Sequence, residues 1–225
     1  MELLIIRHGA TPGNERHVYV GKTDEGLSAR GREQARAARG RIGGAVCEGL
    51  PLVYVSPMLR ARQTAELLFP RAEQVLVDDL REMDFGAFEG RSAEQMSDSQ
   101  VGDPRYQAWV DGLCLGACPG GESRDQLSAR TRAAVRQVVE DAVRRGLDQA
   151  VIVAHGGTVM AAMDGSAALV GMPVDATVGV LTAAPGAVKD PLSFYRWGVG
   201  CCDGYRAQVC LRDDGRLELL DPVRL

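Results

Sequence analysis

The chain has 225 residues, of which 45% are hydrophobic and 25% charged, and a formal net charge of −4. A chain of this size buries an adequate core without disulfide staples, so residues 1–225 are expected to form one domain of the ordinary soluble globular kind. No Lys/Arg block marks a nucleic-acid footprint and no apolar run approaches the ~18 residues of a membrane span, so neither is an expected partner.

Leu3-Leu4-Ile5-Ile6 is a short apolar run closed by Arg7-His8-Gly9. It reads as a buried strand with a cation and an imidazole at its carboxyl end. Thr11 to Gly26 reads as a polar loop. Ser28 then caps a predicted helix that carries Ala35, Ala38, Ile42 and Ala45 on one face. Leu52 to Val55 is the next strand, ended by Ser56-Pro57, and a helix from about Leu59 to Phe69 stops at Pro70. Val75 to Val77 reads as a third strand and Asp78 to Gly90 as a loop. The stretch 91–121 is the least regular, with one short helix around Tyr106 and Trp109, and is expected to be a specificity or lid insert.

Glu122 to Arg145 has the clearest helical period, through Leu127, Thr131, Ala134, Val135, Val138, Ala142 and Val143. Glu122 is expected to cap it and Gly146 to close it. Val151 to Ala154 repeats the opening pattern, ending in His155-Gly156-Gly157, and a helix from about Thr158 to Val170 follows. In the tail, Gln208 to Leu211 and Leu217 to Leu219 flank Asp214-Gly215 as a hairpin. Strand–helix alternation with an antiparallel finish predicts an α/β fold: three layers, α/β/α, around a doubly wound, mostly parallel sheet with an antiparallel edge.

The amino-terminal segment lacks the basic start and long apolar stretch of a signal peptide, so a cytoplasmic location is expected, with the six cysteines reduced. Cys114 and Cys118 are spaced C-x-x-x-C with no histidine nearby, and small buried thiols are the expected reading rather than zinc ligands. No metal and no cofactor are expected.

Arg7-His8, Ser56 to Arg62, Leu80-Arg81-Glu82 and His155-Gly156 should converge at the carboxyl edge of such a sheet, where open α/β folds bind ligands. Together they supply imidazoles, guanidiniums and a carboxylate. Arginine meets phosphate in a bidentate fork, and the helix start near Leu59 should add a positive end. The predicted site is a phosphate pocket containing an imidazole. Arg62, a turn further on, is expected to be structural, and His17 to lie on the surface or rim.

Arg7-His8-Gly9-Ala10-Thr11-Pro12-Gly13-Asn14 resembles the R-H-G-x-[ST]-x-x-N signature of the histidine phosphatase superfamily, the phosphoglycerate mutase-like enzymes. The likeness continues through Gly21 to Asp24, Leu27, Gly31 and Gln34-Ala35, then Ser56-Pro57-Met58-Leu59-Arg60-Ala61-Arg62-Gln63-Thr64-Ala65. Leu80-Arg81-Glu82, Phe85 to Gly90, Pro119 to Ser123 and His155-Gly156 complete it in family order. Phe88 stands where the family often has tryptophan.

The resemblance implies that His8 attacks phosphorus and becomes a phosphohistidine. It implies that Arg7, Arg60 and His155 clamp the phosphoryl oxygens. Glu82 would donate the proton to the leaving alcohol and then act as base for water. Asn14, Thr11 and Thr23 are further phosphate-contact candidates. The family holds phosphatases and mutases. The insert between Glu82 and Pro119 is shorter than in cofactor-dependent phosphoglycerate mutases, which favours water as acceptor. A metal-independent phosphomonoesterase acting on a small phosphorylated metabolite is therefore expected. The Pro119-Gly120-Gly121-Glu122-Ser123 form looks like that of α-ribazole phosphatases of cobalamin assembly. Mutase-type transfer is the alternative. A non-catalytic phosphate-binding protein on this fold should have lost His8 or Glu82, and both are present. A monomer or homodimer is expected.

Overall fold

The computed structural model describes residues 1–166, 192–211 and 217–225. In chain order it contains β1 (Glu2–Arg7), α1 (Pro12–Glu15), α2 (Ala29–Ile42), α3 (Gly44–Gly49), β2 (Leu52–Val55), α4 (Leu59–Leu68) and β3 (Glu73–Leu76). It continues with α5 (Ala93–Ser97), α6 (Pro104–Asp111), α7 (Arg124–Arg144), β4 (Gln149–Ala154), α8 (Gly156–Ser166), β5 (Gly204–Leu211) and β6 (Leu217–Arg224). Among the described residues the sheet runs β3-β2-β4-β1-β5-β6. The pairs β2–β3, β2–β4 and β1–β4 are parallel, while β5 and β6 form the antiparallel edge beyond β1. This is the predicted doubly wound sheet.

The continuous apolar runs are explained by burial on both faces. Leu3 and Ile5 of β1, Tyr54 of β2 and Ile152 of β4 pack against Ala134, Val135 and Val138 of α7 and Val159 of α8. Their alternates, Leu4, Ile6, Val53, Val55, Val151 and Val153, pack against Ala35 and Ala38 of α2 and Ala61 and Ala65 of α4. A third cluster joins Met83, Phe88, Met96, Tyr106 and Cys118 to Leu127 of α7 and Ala161 of α8.

Several local expectations need correction. The loop after β1 contains α1, capped reciprocally by Thr11 and Asn14 with Pro12 in the first turn. Helix α2 ends at Ile42 because Gly43 turns with φ +105, so Ala45 falls in the short helix α3 and is exposed instead of extending the buried stripe. Asp78 to Gly90 holds two single 3-10 turns, Asp78–Leu80 and Gly86–Phe88. Ser123, not Glu122, caps α7, in a reciprocal pair with Gln126. Val143 lies 55% exposed off the buried stripe of that helix. The last helix begins at Gly156, earlier than predicted. The predicted end of that helix near Val170 and the Asp214-Gly215 turn lie outside the described residues.

Candidate active site

Sheet order assembles the site. Backbone N–H of Ser56 donates to Val153 at 3.0 Å, and that of His8 donates to Ala154 at 2.9 Å. Ser56, His155 and His8, each one residue past its strand, therefore stand in a row at the carboxyl edge of β2, β4 and β1. The rings of His8 and His155 meet edge to face with centroids 5.1 Å apart.

His8 is 3% exposed, and its Nδ1 lies 2.6 Å from the Gly9 carbonyl. A carbonyl only accepts, so Nδ1 carries the proton and Nε2 holds a free lone pair. Burial pushes the imidazole well below its ordinary range, and the Arg60 and Arg7 charges push it the same way, against the Gly9 carbonyl. His8 is thus a neutral ring at physiological pH.

Arg60 is fully buried in the first turn of α4. Its Nε donates to His155 Nδ1 at 3.2 Å, Nη1 to the Thr23 carbonyl at 2.7 Å and Nη2 to the Gly21 carbonyl at 2.7 Å. All these partners are neutral. Arg7, half-buried, donates through Nη1 to the Val199 carbonyl at 2.7 Å, and its buried Nε has no hydrogen-bond partner among the described residues. Two guanidiniums turned inward, with no carboxylate in contact among the described residues, favour an anionic ligand beside His8.

Because Arg60 only donates, His155 Nδ1 accepts. The His155 Nε2 proton then points to Ser56 Oγ, 2.7 Å away. Burial and the Arg60 charge hold His155 well below its ordinary range as well. Glu82 is half-buried beside them, accepting the Met83 N–H at 2.9 Å and the Gly157 N–H at 3.0 Å. A Cβ at Gly157 would push the Glu82 carboxylate aside, so glycine here leaves Glu82 its place. Arg130 of α7 holds the Glu82 loop, donating to the carbonyls of Arg81 at 2.6 Å and Glu82 at 3.0 Å while paired with Glu122.

The weaker candidates are tied elsewhere. Thr11 and Asn14 face each other across the α1 cap, so the Asn14 amide nitrogen is the group left for a ligand. Thr23 turns its hydroxyl to Glu89 at 2.8 Å. The α4 start is not an open anion site, because Asp24 accepts the Leu59 N–H at 2.7 Å. Arg62 and His17 are exposed. Tyr106 is 4% exposed within the third cluster, its hydroxyl 3.0 Å from that of Tyr19, so it packs the insert against α7 and α8. All six cysteines are free thiols, and the described residues contain no group of side chains suited to a metal ion. No described helix is long and apolar enough to cross a membrane. Residue-type reading brings Ser56 to the site but gives its hydroxyl no role, although it occupies the same strand-end position as the two histidines. That reading misses Glu89, whose bonds lie up to 68 positions away.

A neutral imidazole with a free nitrogen, flanked by two guanidiniums and a carboxylate at the end of a doubly wound sheet, suits phosphoryl transfer. The chain belongs to the histidine phosphatase superfamily (branch 1), whose family model matches residues 3–178. A bifunctional protein of Mycobacterium tuberculosis is 35% identical over 162 residues, covering 70% of this chain and 39% of that protein, so the chain spans about two fifths of that relative. A phosphoglycerate mutase of Thermus thermophilus superposes with a TM-score of 0.60 at 28% identity, over 100% of this chain and 98% of that one. The alpha-ribazole phosphatase of Shigella flexneri superposes with a TM-score of 0.67 over 97% and 94%, and at 24% identity that likeness bears on the fold.

Proposed function

We propose that this protein is a metal-independent phosphomonoesterase that works through a phosphohistidine on His8. The observation that carries this reading is the His8 Nδ1–Gly9 bond, which leaves Nε2 as a lone pair near two guanidiniums. Nε2 attacks phosphorus, the N–P bond forms as the ester P–O bond breaks, and Glu82 gives its proton to the leaving oxygen. Water then attacks, Glu82 takes its proton, and cleavage of N–P releases inorganic phosphate. Arg7 and Arg60 neutralise charge on the transferring group, the work a metal ion does elsewhere. Neutral His155 keeps Nδ1 on Arg60 and joins the clamp by turning its Nε2 proton from Ser56 to a phosphoryl oxygen.

The insert 91–121, whose Met96, Tyr106 and Cys118 pack with Met83, the neighbour of Glu82, and with Phe88, is assigned to leaving-group selection. Water as acceptor follows from the shortness of that insert. A small phosphorylated metabolite is the substrate class, with α-ribazole 5′-phosphate a candidate from the Pro119 to Ser123 form. The second reading, phosphoglycerate mutase-type transfer, is favoured by the likeness to the Thermus enzyme.

Phosphate release from α-ribazole 5′-phosphate, 3-phosphoglycerate and p-nitrophenyl phosphate, with EDTA present, tests both. Release by the wild type and not by His8→Ala supports the hydrolase. Release from none, with turnover only after priming by 2,3-bisphosphoglycerate, selects the mutase.

A further inference from the structure

The Glu89 carboxylate is surrounded by donors. It accepts the N–H of Gly21 at 3.1 Å, of Lys22 at 3.0 Å, of Thr23 at 3.4 Å and of Phe85 at 3.1 Å, together with the Thr23 hydroxyl. The same peptide segment shows its other side to Arg60, with the carbonyls of Val20, Gly21 and Thr23 accepting from the guanidinium. Gly21 sits too close for any side chain, since a Cβ there would run into the Met83 carbonyl and Glu89 itself. A short strip of backbone is thus gripped by an anion on one side and grips a buried cation on the other.

We infer that Glu89 is a positioning residue for Arg60, fixing the 20–23 segment so that its carbonyls aim the guanidinium at the phosphoryl group. The physical argument is polarisation along the peptide units. A carboxylate accepting the Gly21 and Lys22 N–H groups strengthens the two peptide dipoles whose oxygens, those of Val20 and Gly21, face Arg60. It also removes the alternative in which the strip swings and its carbonyls turn to water. Among the described residues Arg60 has no carboxylate in direct contact, so this strip on Nη1 and Nη2, with His155 on Nε, orients its charge, and Glu89 stands one peptide layer behind the strip. Lys22 leaves the strip toward Asp84 at 3.2 Å in an exposed pair, and such a pair does little to hold the backbone.

This inference rests on the phosphatase reading, and its test separates the two. Glu89→Gln keeps the side-chain shape but sets an amide donor against backbone N–H groups. We would measure kcat and KM for p-nitrophenyl phosphate and the inhibition constant of inorganic phosphate, in wild type, Glu89→Gln, Arg60→Lys and the double variant. The expected result is a weakening of phosphate inhibition by about tenfold in Glu89→Gln with its melting transition retained. The double variant should then be little worse than Arg60→Lys, because both changes disrupt one unit. Should Glu89→Gln fail to fold, Glu89→Asp, which keeps the charge but falls short of the strip, takes its place with the same expectation. Unchanged phosphate inhibition in a folded variant, or losses that simply add to those of Arg60→Lys, would overturn the positioning role. A wild type that neither turns over ester nor binds phosphate overturns the phosphatase reading, and this inference with it.

Discussion

The ends of β1 and β4 are neighbours in one sheet, and each carries a His-Gly pair, yet their imidazoles are held in opposite ways. His8 has one ring nitrogen tied to the next carbonyl and the other free. His155 has both tied, to Arg60 and to Ser56. Sheet order is the cause. Strand β4 lies between β1 and β2, so Ser56 at the end of β2 reaches only the β4 histidine. A ring with a free lone pair suits attack, and a ring gripped at both nitrogens suits a wall. Identical sequence patterns thus take different chemistry from their position in the strand order.

The comparison breaks most directly at its nucleophile. His8→Ala should lower turnover by at least about 10⁴-fold and abolish acid-labile protein phosphorylation. His155→Ala should lower turnover by about 10²- to 10³-fold, the range for one electrostatic contact, while phosphorylation persists. Labelling that vanishes in His155→Ala and survives in His8→Ala would reverse the roles. Glu82→Gln sharpens the contrast from the leaving-group side. For an alkyl phosphate it should cost about 10²- to 10⁴-fold in kcat/KM, and far less for p-nitrophenyl phosphate, whose leaving group needs no proton. Equal losses on both esters would remove Glu82 as the acid.

The parts of this arrangement that lie within a strand and its first following residue are legible in the sequence. Arg7, His8 and His155 announce themselves by apolar runs that must be buried on both faces and stop at glycine. The family motifs supply Arg60 and Glu82. What stays hidden depends on partners distant in the chain. Ser56 matters because β2 neighbours β4, and Arg130 because α7 crosses behind the Glu82 loop. Gly43 hides the end of α2, since its neighbours continue a helical pattern and only its positive φ breaks the chain. Glu122 misleads for a similar reason. It lies one residue before the cap, outside the helix, where it pairs with Arg130 while Ser123 caps.

Ser56→Ala probes the grip on His155 alone. It leaves the His155 Nε2 proton buried without its acceptor, a loss of about 1–3 kcal/mol in unfolding free energy. Phosphate inhibition should weaken about tenfold, because the ring can turn out of the Arg60 contact. Urea titration and inhibition by inorganic phosphate measure the two effects. A variant unchanged in both would mean that Arg60 alone fixes the ring.

The smallest effect per step is the one on stability against pH, and it tests the neutrality that both imidazoles share. Their folded-state values lie well below 6.5, with burial the main cause in each. Above pH 6.5 both the folded and unfolded chains carry neutral rings, so this contribution does not vary. As pH falls below 6.5 the unfolded chain takes up protons that the folded chain refuses, and stability falls. The slope should be about 1.4 kcal/mol per pH unit for each imidazole, until the folded-state values are reached. Between pH 6 and 5 most carboxylates stay ionised in both states, which leaves the histidines to dominate. His8→Ala should therefore lose stability roughly half as steeply as the wild type in phosphate-free urea titrations over that interval. A wild type equally stable at pH 7.5 and pH 5 would mean that these rings accept protons inside the fold. His8 Nε2 would then be no lone pair in mild acid, and the contrast between a free nucleophile and a gripped wall would lose its footing.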